Sequence, residues 1–263
     1  MIRLKTIFLP DDSLTNRISY YHLLMLLALL PFDMFFTHLV FISFALHTLL
    51  HVKKDRFKQL FTLRNAILQA VFFIVLLSVS YTSYTATAWT DVTRLLLILL
   101  FPILFSLNPL NINKYRDRLM FIFSLTCAFT IAYFYLHVLM LIRHFTLPLS
   151  DIISYVFLNQ NFSDPINMHA TFFSLQVAIA FFYFLSLLFK AGTLILRLFY
   201  FALTLLLFAG LVQLGSKAVL IAILLALNLA VPFFIIRKPR RLRYILITTT
   251  LSVAFITGLL ATN

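Results

Sequence analysis

Long apolar runs alternate with short polar connections along the whole chain. The runs are about 16–24 residues long, the length that a helix needs to cross a hydrocarbon core of about 30 Å. They lack the strict alternation of an outer-membrane barrel, so the pattern predicts helices. We predict an all-α polytopic transmembrane bundle with about nine spans. These are residues 18–33, 35–51, 66–81, 92–107, 119–142, 171–189, 197–214, 217–236 and 244–260.

The basic residues lie mostly in alternate connections between these spans. The opposite connections hold only Arg94, Arg143 and Lys217 of the 21 Lys and Arg residues. The positive-inside rule makes the lysine- and arginine-rich side cytoplasmic. We therefore expect a multi-pass protein of the inner (plasma) membrane with a cytoplasmic N-terminus and a periplasmic C-terminus.

Composition supports one integral membrane domain over residues 1–263. Hydrophobic residues make up 62% of the chain and charged residues 11%, whereas a soluble domain carries about 25% charged residues. The net charge of +13 does not indicate a nucleic-acid partner, because the basic residues lie between spans and not on one soluble face. Cys127 is the single cysteine and lies mid-span, and we expect neither a metal nor a cofactor.

One outer connection is very short. In LVQLGSKAVLIAILLAL (211–227), Gly215 suits the residue that ends one span and Ser216 the cap of the next. Lys217 then falls in the first helical turn, where a cation costs about 0.3–1 kcal/mol against the helix dipole. Its ammonium and the free N–H groups would converge on an anion, phosphate above all. Snorkelling of Lys217 to lipid headgroups is an equally open interpretation.

Three further residues face the same predicted compartment. Arg94 is expected in the first turn of the fourth span, capped by Thr90 or Asp91, and can pair with Asp91. Arg143 closes the fifth span beside a C-terminal dipole. His169 ends the longest outer connection, 143–170, immediately before the sixth span. That connection has room for a short interfacial helix around 151–157.

Two stretches resemble a known family. DPINMHATFFSLQVAIAFFYF (164–184) resembles the His-Pro-Thr-Tyr-Phe stretch at the start of a span in O-antigen ligase and O-antigen polymerase-like proteins. LVQLGSKAVLIAILLAL resembles the next marker of that family, a Ser-Arg turn between two Leu-rich spans. One cytoplasmic turn separates the two markers in both cases. Lys217 replaces the arginine of the family, and Ala170 replaces its proline.

The resemblance implies an integral glycosyltransferase (ligase) of envelope polysaccharide biosynthesis, lipopolysaccharide included. Such enzymes pass a glycan from undecaprenyl pyrophosphate to lipid A-core, a growing chain or a protein at the periplasmic face. The resemblance also implies a metal-independent mechanism in which outward-facing cations hold the pyrophosphate and a histidine activates the acceptor hydroxyl. Lys217 matches the first family arginine, and Ser216, His169, Arg94 and Arg143 are our further candidates for substrate binding.

Family proteins carry the catalytic histidine in a large loop after the ninth span. The matching position lies beyond Asn263, so we assign no catalytic residue and expect this N-terminal portion to be inactive alone. Two other interpretations stay open from the sequence. One is a polytopic transporter or flippase for lipid-linked glycans, and the other is a non-catalytic membrane scaffold subunit.

Overall fold

The computed structural model describes residues 10–32, 34–234 and 238–261, and every regular element within these ranges is helical. The chain forms two compact units, residues 1–122 and 123–263. The prediction of a single membrane domain stays a prediction. The predicted cytoplasmic N-terminus lies outside the described residues, because these begin at Pro10. Asp33 and the predicted periplasmic C-terminus at Asn263 also lie outside them.

Unit 1 is built from six helices and the beginning of a seventh within its described part. They are α1 (Leu14–Leu29), α2 (Met34–Leu50), α3 (Phe57–Leu60), α4 (Leu63–Ser78), α5 (Thr85–Arg94), α6 (Leu96–Leu107) and α7 (Ile112–His144). A 3₁₀ turn, Lys54–Arg56, precedes α3. Ser13 caps α1 by accepting a hydrogen bond from the Asn16 backbone N–H. This local chemistry explains why α1 begins at residue 14.

Helices α1 and α2 pack against each other as an antiparallel hairpin, and α4 packs on α6. The core of unit 1 gathers Tyr20, Phe44 and Tyr115, which are fully buried. Asn108 lies buried in the connection between α6 and α7. Its side-chain nitrogen donates to Ser19 Oγ at 3.1 Å and Thr48 Oγ1 at 2.7 Å, which ties the connection to both helices of the hairpin.

Unit 2 contains the rest of α7 and the helices that follow it. They are α8 (Gln160–Ser163), α9 (Ala170–Lys190), α10 (Leu194–Leu214), α11 (Lys217–Leu225), α12 (Val231–Phe234) and α13 (Lys238–Ala261). A π-helical turn at Ala226–Ala230 joins α11 to α12. Asn228, on this turn, donates to Ser252 Oγ at 2.8 Å, so the π turn is held against α13.

Helices pack closely at the centre of unit 2. Helices α9 and α10 pack along their length, and α9 also contacts α11. A Cβ added at Gly210 of α10 would lie 2.5 Å from Cδ1 of Ile131 on α7. Glycine therefore lets the backbone of α10 approach the Ile131 side chain. Phe173, Phe184 and Leu207 are fully buried in this region.

The apolar helices indicate a membrane protein. Four helical segments of the described chain are long and apolar enough to cross a bilayer: Thr85–Leu107, Ile112–His144, Ala170–Lys190 and Leu194–Leu214. Phe35–Leu50 with Lys54–Leu60, bent by 110°, makes a possible fifth. Large apolar side chains are exposed on these helices, such as Phe172 and Ile195, as lipid contact requires. The number of nine spans and the orientation of the termini stay predictions.

The predicted start of the fourth span is wrong. The polar segment is itself helical, so α5 begins at Thr85, after Tyr84, and Leu95 separates it from the apolar α6. Thr90 and Asp91 therefore lie inside a helix and do not cap one. Arg94 lies in the last turn of α5, not in a first turn. The sequence pattern missed this helix because its residues are polar and precede the apolar run.

Candidate functional site

The Gly215–Lys217 turn has the local structure that its sequence predicts. Gly215 ends α10 in the left-handed region, at φ 59°, and its N–H donates to Leu211 O and Val212 O. Ser216 occupies the cap position of α11, and Lys217 is the first helical residue. The predicted end of one helix at Leu214 and start of the next at Lys217 are therefore confirmed. The first helix ends there because glycine adopts the left-handed backbone conformation without strain.

Ser216 and Lys217 present different groups at the turn. Ser216 is buried, 8% exposed, and its side chain makes no capping hydrogen bond. Lys217 is exposed and has no ion-pair partner within the described part of the chain. The first helical bond of α11 runs from Leu220 N–H to Ser216 O. The backbone N–H groups before Leu220 are therefore without intrahelical acceptors, beside an exposed ammonium.

The connection between α7 and α9, here called the 145–169 loop, folds against this turn. The Asn159 backbone N–H donates to Gln213 O at 3.0 Å. The Asn159 side-chain nitrogen, in the amide orientation that satisfies both its atoms, donates to Leu214 O at 2.9 Å and to Gly215 O at 3.3 Å. These bonds use carbonyls that the end of α10 would otherwise leave unpaired.

Gln213 completes the attachment from the other direction. Its side chain is 3% exposed, and Nε2 donates to Ile152 O at 2.6 Å and to Phe157 O at 2.7 Å. One buried amide thus satisfies two loop carbonyls, which would be costly to bury without donors. The two 3₁₀ turns of the loop, Leu149–Ile153 and Tyr155–Phe157, replace the short helix expected around 151–157.

Gln160 and Phe162 hold the loop to α9 and α7. Gln160 accepts from the Ala170 N–H at 3.0 Å and donates to Met168 O at 3.3 Å. Phe162 is 1% exposed and packs edge-on against Phe134 and Tyr135 of α7, with ring centroids 5.2 and 5.1 Å away. The loop is therefore an ordered part of unit 2, held by hydrogen bonds and aromatic packing.

His169 and Arg143 lie beside the two ends of the loop. His169 is exposed and caps α9, where Nδ1 accepts the Thr171 N–H at 3.3 Å. Arg143 is exposed in the last turn of α7, where a cation is favourable to the dipole. No hydrogen bond or ion pair joins either side chain to Lys217 among the residues described.

Arg94 belongs to unit 1 and has a local partner. Its Nη1 lies 3.3 Å from Asp91 Oδ1, as the i,i+3 spacing predicts, and both side chains are at least half exposed. An exposed pair of this kind contributes about 0–1 kcal/mol. The last-turn position suits its charge, so a ligand is not needed to explain Arg94.

Sequence reasoning missed Asn159, Gln160 and Gln213. Gln213 carried a usable signal, because it is the only amide in the apolar segment 194–214. A polar side chain there, two residues before a glycine turn, is expected to find a buried partner. Asn159 and Gln160 lie in a polar loop, where amides are ordinary. Their pairing with distant residues could not be inferred from local sequence.

No protein-family model, curated protein or solved structure matches this chain.

Proposed function

We propose that this chain binds the pyrophosphate of an undecaprenyl-linked glycan at the periplasmic face of the inner membrane, as an O-antigen ligase- or polymerase-like protein. Donor binding serves transfer of the glycan to lipid A-core, a growing chain or a protein. The observation that carries the proposal is an exposed Lys217, without an ion-pair partner among the described residues, on a turn that the 145–169 loop holds in place.

The local energetics support an anion at this turn. Lys217 lies at the positive end of α11, a position that is unfavourable for a cation by about 0.3–1 kcal/mol. A bound phosphate is negatively charged, so its interaction with the helix dipole would be favourable. It would also accept hydrogen bonds from the free N–H groups. The turn is also preorganised, so little reorganisation would accompany binding of the pyrophosphate.

The distribution of lysine and arginine along the chain supports a periplasmic position for Lys217. Lys217 belongs to the sparsely basic connections, which the positive-inside rule assigns to the periplasm. A pyrophosphate carried by a lipid would reach such a turn from the outer leaflet. His169, Arg143 and Ser216 are proposed to contribute to the same binding region. The case for Arg94 is weaker, because its guanidinium pairs with Asp91.

Binding of undecaprenyl pyrophosphate to the full chain in nanodiscs tests the proposal. We expect Lys217→Ala to weaken binding about tenfold or more, since a hydrogen bond to a charged group is worth about 1.5–3 kcal/mol. Lys217→Arg should keep or improve binding, because the guanidinium is a bidentate phosphate donor.

Lys190→Ala is the matched control. Lys190 is an exposed lysine at the end of α9, on a predicted cytoplasmic connection. If Lys217→Ala and Lys190→Ala both bind like the wild type, Lys217 serves only to reach lipid headgroups and the donor-binding proposal is wrong. Equal losses of affinity in both variants would also contradict the proposal, because the effect would then reflect the net charge of the chain and not a site at Lys217.

A further inference from the structure

A cavity of about 340 Å³ opens in unit 1 between the start of α1 and the segment after α2. Its lining is mostly polar and includes Ser13, Asn16, His51, Lys53 and Arg56. This volume is at the lower end of the range of about 300–1,000 Å³ that ligand pockets show. The cavity therefore suits a small polar group better than a large apolar ligand.

The cationic side chains of the cavity have few internal partners. Lys53 is exposed and makes no ion pair within the described ranges. Arg56 uses one nitrogen, Nη2, to donate to Pro109 O at 3.4 Å. That weak contact leaves the rest of its guanidinium available. Two positive charges three residues apart thus line one cavity that no carboxylate lines. Asp55, between them in sequence, is exposed and is not among the lining residues.

His51 presents a ring nitrogen to the cavity. Its Nδ1 lies 2.9 Å from His47 O, and a carbonyl can only accept, so Nδ1 carries the proton. Nε2 is then the ring atom that remains available to the cavity. Nε2 accepts a hydrogen bond in the neutral ring and donates a charge-assisted one in the imidazolium.

Asp12, an acidic side chain beside Asn16 of the lining, is already paired. Asp12 Oδ2 accepts from Lys114 Nζ at 3.2 Å and from Tyr115 OH at 2.8 Å, and Oδ1 accepts from Asn16 Nδ2 at 2.7 Å. Its negative charge is therefore engaged by unit 1 itself. Asp12 is not among the residues that line the cavity.

We propose that this cavity is a binding site for a phosphate group, held by Lys53, Arg56 and His51 at the polar end of the α1–α2 hairpin. The first turn of α1 adds the backbone N–H groups of Leu14 and Thr15, which have no intrahelical acceptor because the first helical bond runs from Arg17 N–H to Ser13 O. The Asn16 N–H is already used by the Ser13 cap. The phosphate is either the headgroup of an anionic lipid or a free phosphate ion. This site uses unit 1 alone and is independent of Lys217.

Two probes on the purified full chain separate the two sources. Inorganic phosphate is titrated by calorimetry against the chain in uncharged detergent. Retention of phosphatidylglycerol against phosphatidylcholine is measured by native mass spectrometry. The test variant is Lys53→Gln with Arg56→Gln. The matched control is Lys54→Gln with Lys58→Gln, which removes the same charge from exposed residues of the same segment that do not line the cavity.

We expect at least one probe to bind the wild type, and the Lys53/Arg56 variant to bind it at least tenfold more weakly, with the control variant within twofold of the wild type. Binding of phosphatidylglycerol alone identifies a lipid headgroup as the ligand, and binding of inorganic phosphate identifies a free ion. If neither probe binds the wild type, the proposal is wrong. It is also wrong if the test and control variants lose affinity equally, because the effect would then be general charge attraction.

Discussion

Asn159 donates its backbone N–H to the carbonyl of Gln213 at 3.0 Å, across 54 residues of sequence. The Gln213 side chain in turn donates two hydrogen bonds, to the carbonyls of Ile152 and Phe157. This exchange fastens the 145–169 loop to the end of α10, one turn before Lys217. The geometry of the proposed pyrophosphate site at Lys217 therefore depends on residues that would not themselves contact the pyrophosphate.

Gln213→Leu should release the loop without unfolding unit 2. The substitution leaves Ile152 O and Phe157 O without donors, and each buried unsatisfied group costs about 1–3 kcal/mol. We expect hydrogen exchange of residues 150–162 to accelerate strongly while α9 and α10 stay protected. Gln176→Leu on α9 is the control, because the Gln176 amide nitrogen makes only a 3.7 Å contact with Met168 Sδ. Similar exchange in both variants would contradict the role of Gln213.

Gly215→Ala should lower the stability of the chain. An alanine at φ 59° costs about 1–2 kcal/mol, and its Cβ would lie 2.7 Å from the Asn159 side chain. Thermal unfolding in detergent measures the effect. Gly192→Ala is the matched control, because a Cβ at Gly192 meets nothing within 4 Å and its backbone is not left-handed. A Gly215→Ala melting temperature equal to that of Gly192→Ala would show that the turn is not under this constraint.

Asp12 should make unit 1 more stable near neutral pH than in strong acid. Hydrogen bonds from Asn16 and Tyr115 hold the pKa of the Asp12 carboxyl well below its usual value near 3.8. A carboxyl whose pKa is lowered by folding stabilises the folded state above its unfolded pKa. That contribution is lost as pH falls from about 4 toward the folded pKa.

The double comparison of wild type and Asp12→Asn at pH 6 and pH 3 measures this linkage. We expect the asparagine variant to melt at a lower temperature at pH 6 and the gap to narrow at pH 3. A gap of the same size at both pH values would mean that the ionised carboxylate contributes nothing, and that the variant is destabilised by altered packing or hydrogen bonding alone.

Reporter fusions test the predicted topology. Fusions after Asn113 and Arg243 should report the cytoplasm, and fusions after Ala86 and Asn161 should report the periplasm, because the lysine- and arginine-rich connections stay inside. Both Ala86 and Asn161 lie in short helices that are polar or exposed. A periplasmic signal after Arg243 would overturn the nine-span prediction.

Much of the local structure followed from sequence, because it depends on neighbouring residues. The apolar periodicity located the helices to within a few residues in most cases, and the Gly-Ser pair located the boundary between α10 and α11. Helices α7 and α13 begin six to seven residues before the predicted spans, and α5 was missed as a helix. Its polar composition concealed a helix, and this placed Arg94 at the wrong end of a helix in the prediction.

What only the tertiary structure decided is which distant polar groups meet. The sequence by itself determined an all-α membrane protein and a lysine at a helix start, since chain hydrophobicity and capping are local properties. The attachment of the 145–169 loop, through Asn159 and Gln213, depends on burying amides and carbonyls whose partners lie far apart in sequence. Such pairings arise from packing, where each buried polar group must find a partner, and no local pattern specifies which one.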